Sequence, residues 1–211
     1  MIRHILALGL VAAAPLSAAL AQENPRQFAV EGAGMLTCAR FVEARADTTS
    51  PDYQRMIGFI EGYLSAANLY EPDTFDLTPW HNAAALDMIV ENHCAQHPDD
   101  RLVGVIQSMV GGLRPFRVAR FSPMLEVGDG QNRAFVYEAI LRRAQAALIM
   151  RGHYSGPEDG TYTPALRDAF RGFQRSVGLD PTGVPDPATL WKLLNPYRSG
   201  EGPCRKSCRC L

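Results

Sequence analysis

Two hexapeptides of the same layout, GTYTPA and GVPDPA, begin at residues 160 and 183. Each has a glycine and then a polar side chain, Thr163 or Asp186, which is followed by proline and alanine. Thr and Asp cap helices by accepting a hydrogen bond from a backbone N–H, and proline suits the first helical position because its missing N–H would have no partner there. The repeat therefore predicts two successive turns, each of which starts a helix.

The first 21 residues have the features of a secretory signal peptide. They combine a basic start, an apolar middle and a small-residue end, with Ala19 and Ala21 at the spacing that signal peptidase cuts. A membrane anchor is the alternative, but Pro15 interrupts an apolar run that is already shorter than the about 20 residues of a membrane span. We therefore expect a periplasmic protein from which residues 1–21 are removed and which has no stable membrane insertion.

The composition limits the partners of the chain. A formal net charge of −1 gives no electrostatic argument for a nucleic-acid partner. An apolar fraction of 46% is typical of a globular protein.

The cysteines fall into two groups. Cys38 and Cys94 lie in the first half of the chain, whereas Cys204, Cys208 and Cys210 lie in residues 195–211, which have no apolar face and predict a flexible tail. Disulfides persist in exported proteins, and the odd total leaves at least one cysteine unpaired or bonded to another molecule. A metal site of three tail thiolates would lack a fourth ligand and the usual zinc spacing, so no metal is expected there.

Apolar residues recur at helical spacing in two parts of the sequence. Residues 34–113 predict a helical module, and residues 133–194 predict a second module, in which a helix over 133–150 precedes the two helices that begin at the repeated turns. Residues 114–132 contain two prolines and no sustained period, so they predict a linker or an ordered crossover. The expected fold class is all-α.

An ordered series of short motifs in the second module resembles the small peptidoglycan-binding domain of bacterial cell-wall proteins. The motifs are Ala144-Gln145-x-x-Leu148, Gly152-x-Tyr154, Asp159-Gly160-x-Tyr162, Ala169-x3-Phe173-Gln174, Gly178-Leu179, Thr182-Gly183 and Asp186-x-x-Thr189-Leu190. The series departs from the family at Ala144, where Leu is usual, and at Thr163, where a second Gly is frequent. The resemblance implies a compact three-helix domain over residues 133–194 that binds peptidoglycan without cutting it.

The first module resembles the HdeA superfamily of small helical periplasmic proteins, and especially its branch akin to the Tai-type immunity proteins. The residues that carry this resemblance are Cys38, the segment from Gly58 to Asn68, Cys94 and His97-Pro98. The resemblance implies a four-helix unit over residues 34–113, stapled by a disulfide between Cys38 and Cys94 and used for protein contacts. Acid chaperoning and immunity are the known roles in that superfamily.

The sequence offers no catalytic set that we could assign. His93 and His97 have the i, i+4 spacing of metal ligands on a helix, but Cys94 stands where H-E-x-x-H has its Glu, and Pro98 disfavours helical geometry at His97. No Gly-x-Ser-x-Gly motif occurs, and the paired carboxylates are adjacent in sequence, which does not place them on opposite sides of a sugar bond. We therefore expect no enzyme activity, no cofactor and no metal.

The candidate ligand-binding residues cluster around the first repeated turn. They are Tyr154, Asp159, Gly160, Tyr162, Arg171 and Gln174. Several of these have a structural alternative. In this alternative, the tyrosines fill the small core, Asp159 stabilises its own turn, and Gln174 bonds loop backbone instead of ligand.

These observations lead to one functional hypothesis and one alternative. The first is a secreted, non-enzymatic cell-wall protein that binds peptidoglycan through residues 133–194 and contacts another envelope protein through residues 34–113. The alternative is an HdeA-like chaperone or immunity protein that the wall-binding domain localises. A lytic or transpeptidase enzyme ranks last, because residues 34–113 contain no recognisable catalytic set.

Overall fold

The structure is a computed structural model, and it describes residues 28–194. The predicted signal peptide, the predicted tail and its three cysteines, Cys204, Cys208 and Cys210, lie outside the described residues. Within residues 28–194, no helix has both the length and the apolar character needed to cross a membrane.

Four helices form the first module. They are α1 (Cys38–Ala44), α2 (Pro51–Tyr70), α3 (Ala83–Cys94) and α4 (Leu102–Leu113), preceded by a 3-10 turn at Gly32–Met35. Ser50 caps α2 by accepting the N–H of Tyr53, and Asn82 caps α3 by accepting the N–H of Ala85 at 2.9 Å. The core side chains come from all four helices and include Phe41, Met56, Ile60, Val90, Leu102 and Ile106.

A disulfide joins the first residue of α1 to the last residue of α3. Cys38 and Cys94 are 56 positions apart in sequence, and both are buried. The backbone reinforces this junction, because the N–H of Cys38 donates to the carbonyl of Asp100 at 2.8 Å. The bridge therefore fixes α1 against α3 and the turn that follows α3.

A buried carboxylate joins three elements of the first module. Asp87 on α3 accepts the Tyr53 hydroxyl of α2 at 2.9 Å and Nε of Arg45, just after α1, at 2.7 Å. Burial and, next, the Asp87 hydrogen bond raise the pKa of Tyr53 to about 12. The charge of Asp87 is thus paired and hydrogen-bonded, as a buried charge must be.

A β-hairpin forms across the end of the predicted linker and the start of the predicted helix over 133–150, so the all-α prediction is wrong for this segment. Strands β1 (Met124–Asp129) and β2 (Asn132–Tyr137) pair antiparallel, with Asp129 opposite Asn132. Val127 and Val136 point into the core while Phe135 is exposed, which is the alternation of a half-buried strand. The turn uses Gly130 at φ +55°, a conformation that glycine adopts at little cost.

Three helices complete the second module after the hairpin. They are α5 (Glu138–Met150), α6 (Pro164–Ser176) and α7 (Pro187–Leu194). Both predicted caps are present, since Thr163 accepts the N–H of Leu166 at 3.2 Å and Asp186 accepts that of Thr189 at 2.8 Å. The core is formed by side chains such as Ile140, Leu141, Leu148, Leu166, Phe170 and Phe173.

The two modules share side chains at their junction. Trp80, from the loop between α2 and α3, packs in the core of the second module, and its ring stacks on His81 with centroids 5.3 Å apart. The His81 ring is in turn nearly perpendicular to the Trp191 ring on α7, with the ring centroids 5.4 Å apart. A largely apolar cavity of about 250 Å³ lies among these rings and α4.

The disulfide generates the first prediction. In the chain-entropy model, removing a bridge that closes a loop of this length lowers the free energy of unfolding by about 3 to 5 kcal/mol. We expect a Cys38→Ala, Cys94→Ala chain to show this loss in denaturant unfolding without reductant. In full reductant the wild type should approach the variant, and equal stability of the two chains in oxidising buffer would contradict the prediction.

Burial lowers the pKa of His81 to about 4. The unfolded chain takes up a proton on this ring below about pH 6.5, whereas the folded chain does so only below about pH 4. The free energy of unfolding therefore falls as the pH drops from about 6.5 to about 4. We expect a loss of about 2 kcal/mol between about pH 7 and pH 5 that is smaller in His81→Leu. NMR titration of the His81 ring checks the cause, and an ordinary pKa near 6.5 would contradict it.

Candidate functional site

The loop between α5 and α6, residues 151–163, is held by the buried amide of Gln145. Its Oε1 accepts the N–H of Gly160 at 2.8 Å, and its Nε2 donates to Asp159 at 3.1 Å and to the carbonyl of Thr161 at 3.2 Å. Gln145 is completely buried, so these bonds replace those that water would otherwise make. One side chain of α5 thus fixes the tip of this loop, which we call loop 1.

The loop between α6 and α7, residues 177–186, is held in the same way by Gln174. Its Oε1 accepts the N–H of Gly183 at 2.8 Å. Its Nε2 lies 3.0 Å from the carbonyl of Val184 and 2.9 Å from the Thr189 hydroxyl. Gln174 is also fully buried, and it fixes the second loop, loop 2.

Each loop presses a glycine against the helix that precedes it. Gly160 has φ +77° and Gly183 φ +84°, a region that side chains rarely adopt. A Cβ on Gly160 would lie 2.6 Å from Glu138 Cγ, and one on Gly183 would lie 2.6 Å from Arg167 Cγ. Both positions therefore require glycine, for conformation and for space.

The two helices repeat one spacing of residues under these loops. On α5 the residues are Glu138, Arg142 and Gln145, and on α6 they are Arg167, Arg171 and Gln174. The first residue of each set lies under the loop glycine, and the glutamine binds that glycine's N–H. Loops 1 and 2 are thus two copies of one local structure.

Tyr162 connects the copies. Its hydroxyl donates to the carbonyl of Gly183 at 2.8 Å, so loop 1 is bonded to loop 2. Burial raises the pKa of Tyr162, which keeps the phenol a donor. Asp159, on the exposed rim, accepts the N–H of Thr161 at 2.8 Å, and this bond followed by that of Gln145 lowers the pKa of Asp159.

The structure places the six predicted site residues in two environments. Tyr154, Gly160 and Gln174 are buried, and Gln174 bonds loop backbone, which is the structural one of its two expected roles. Asp159 is exposed, Tyr162 and Arg171 are partly exposed, and Arg171 forms an ion pair with Asp168 at 3.3 Å. Contact of a ligand with any of the six stays a prediction.

One residue of this arrangement, the glutamine that holds loop 1, was missed as a site residue. Gln145 has the same spacing to its helix partners as Gln174, and this repeat is visible in the sequence. Arg167 ion-pairs with Asp129 of the hairpin at 2.9 Å, which no local pattern indicates. In residues 28–194 no group of three or more His, Cys, Asp or Glu side chains is placed to bind a metal ion.

The buried glutamines generate the third prediction. Gln174→Ala leaves the N–H of Gly183 and the carbonyl of Val184 without their partner, so we expect a loss of about 3 kcal/mol in the free energy of unfolding. Gln145→Ala should cost less, because Asp159 and Thr161 are exposed and can bond water. Gln131→Ala, at the exposed hairpin turn, is the control in the same denaturant experiment, and a Gln174→Ala chain as stable as this control would contradict the prediction.

Comparison with known proteins identifies relatives of the second module. Residues 138–193 match the family model described as "Putative peptidoglycan binding domain". The localization factor PodJL of two Caulobacter vibrioides strains is 50% identical over 55 residues, which is 26% of this chain and 6% of the relative. No solved structure gives a significant match.

The match lies inside the predicted range of 133–194 and begins at the first residue of α5. It covers both buried glutamines and both loops, whereas the chain spans only a small fraction of the length of these curated relatives. Residues 138–193 are therefore a domain that matches the peptidoglycan-binding family.

Proposed function

We propose that the protein is a secreted, non-enzymatic cell-wall protein that binds peptidoglycan through its second module. The observation that carries this proposal is the family match over residues 138–193. The Caulobacter relative is a localization factor, and this supports a localising role for the protein. Periplasmic location belongs to the same proposal and rests on the sequence features of residues 1–21.

The geometry of loops 1 and 2 suits a rigid receptor. Peptidoglycan offers sugar hydroxyls, peptide amides and carboxylates, and a receptor for them needs a few fixed polar groups. Asp159, Tyr162 and Arg171 are the accessible candidates, and the buried glutamines set the loops that carry or adjoin them. A site that is already ordered loses less entropy when it binds.

The first module has a surface that supports a contact with another envelope protein. A groove of about 830 Å³ runs between α2 and α4, lined by side chains that include Tyr63, Tyr70 and Val110. Leu69 and Tyr70, consecutive at the end of α2, are 73% and 80% exposed and add apolar surface beside this groove. Exposed apolar groups of this kind mark contact surfaces on soluble proteins.

An HdeA-like chaperone or immunity protein remains the second candidate. It is favoured by the disulfide between Cys38 and Cys94, which staples a small helical unit as the resemblance implies. In this version the second module only localises the first. Suppression of aggregation of a client protein at low pH by the full chain, reduced or lost in the Cys38→Ala, Cys94→Ala chain, would favour it.

Sedimentation with purified peptidoglycan sacculi tests the proposed function. We expect the full chain to pellet with the sacculi and to be released by soluble peptidoglycan fragments. Arg171→Ala should weaken binding by about tenfold through loss of a charged donor. Arg55→Ala, an exposed position on α2, is the matched control.

Two results would count against the proposed function. A full chain that pellets no more than an unrelated protein of similar charge would contradict peptidoglycan binding. Release of soluble muropeptides from the sacculi by the purified chain would contradict the non-enzymatic assignment.

A further inference from the structure

An open pocket of about 340 Å³ lies where the segment before the hairpin meets the start of α5. Its lining includes Arg120, Phe121 and Ser122 on one side and Glu138, Arg142 and Arg143 on the other. The pocket borders loop 1, because Gly160 packs directly on Glu138 and Arg142. It is therefore continuous with the family domain, although six of its ten lining residues precede the family match.

Arg143 brings a positive charge to this pocket, and no carboxylate of residues 28–194 forms an ion pair with it. Its two terminal nitrogens donate to the carbonyls of Phe116 and Arg117, both at 2.6 Å. Burial and, next, the neighbouring charge of Arg117 lower the pKa of Arg143. The guanidinium is thus positioned by backbone dipoles and faces repulsion from a like charge, which a bound anion would offset.

The other charges of the pocket leave a positive excess. Arg142 is paired with Glu138 at 2.7 Å, so these two side chains neutralise each other. Arg120 is exposed and forms no ion pair or side-chain hydrogen bond with any of residues 28–194. Two arginines, Arg120 and Arg143, therefore remain for an anion.

The donors of Arg143 fit a planar anion. A guanidinium has five N–H groups, and the two carbonyl bonds use two of them. Carboxylates bind arginine through paired, parallel N–H bonds that are stronger than those between neutral groups. Phe121, 77% exposed and packed at the edge of Phe75, adds an apolar face beside this anion position.

We propose that this pocket binds a carboxylate of a peptidoglycan stem peptide, with Arg120 and Arg143 as its donors. The proposal rests on the proposed function and extends the binding surface beyond loops 1 and 2. A peptide carboxylate fits the pocket better than inorganic phosphate does, because the exposed Phe121 on the pocket wall offers an apolar contact that a phosphate cannot use. Phe121 then packs against the apolar part of the same peptide.

Calorimetric titration of the full chain with a purified disaccharide-peptide fragment tests the proposal. Arg120→Glu reverses a charge at an exposed position that forms no ion pair or side-chain hydrogen bond within residues 28–194, so the chain should fold normally. Arg55→Glu makes the same change in net charge on α2 and is the control. We expect Arg120→Glu to weaken binding at least about tenfold and Arg55→Glu to leave it unchanged.

Changing the ligand gives a second, independent measurement. A fragment whose carboxylates are converted to methylamides should bind the wild type about as weakly as the free acid binds Arg120→Glu. Inorganic phosphate should compete only weakly. Tighter binding of phosphate than of the fragment, lost in Arg120→Glu, would overturn the assignment to a stem peptide.

The failure of this proposal is distinguishable from failure of the proposed function. If the wild type pellets with sacculi while Arg120→Glu and the methylamide fragment both bind normally, peptidoglycan binding stands and the carboxylate pocket is wrong. If the wild type binds neither sacculi nor fragment, both are wrong.

Discussion

Two buried amides make the second module possible. Loops 1 and 2 have no regular secondary structure, yet parts of their backbone are enclosed, and an enclosed N–H or carbonyl without a partner costs about 1 to 3 kcal/mol. Gln145 and Gln174 each reach from a helix into a loop and bond such groups, namely the N–H of Gly160 for Gln145 and both the N–H of Gly183 and the carbonyl of Val184 for Gln174. The positions of the two positive-φ glycines, and the Tyr162 bond to the carbonyl of Gly183, depend on that placement. A ligand surface built on these loops therefore takes its shape from residues that a ligand does not need to touch.

The second module also depends on residues that precede it in sequence. Val127 of β1 and Trp80 of the first module lie in its core, and Arg143 binds the carbonyls of the segment that joins the modules. Gly128 packs so closely on the hairpin's own backbone and on Val184 of loop 2 that an added Cβ would collide with both. A fragment cut at residue 133 would lose these contacts, so binding experiments with the full chain report on the intact site.

Local chemistry explains what the sequence predicts well. Thr163 and Asp186 are recognisable as caps because a cap involves only the next three residues, and the helices after them follow. The role of Gln174 could not be decided from sequence, since its amide bonds loop or ligand equally well and only burial distinguishes the two. The hairpin was missed because its alternating stretches, around Val127 and Val136, are short and the second runs directly into a strongly periodic helix. The packing of Trp80 in the core of the second module and the ion pair of Arg167 with Asp129 could not be predicted, because both depend on the tertiary arrangement alone.

The repeated spacing of α5 and α6 has a consequence for how such a domain is assembled. Each of these helices forms a repeating unit with the loop that follows it, and the glutamine of the helix orders that loop. The two helix-loop units therefore resemble two turns of a short solenoid. The last helix, α7, buries Thr189, Leu190 and Leu193 and presents no such amide. Within residues 28–194, the series of paired glutamines and loop glycines therefore has two members. Extending the domain by another copy would require a glutamine at the matching face of α7 and a glycine beyond it.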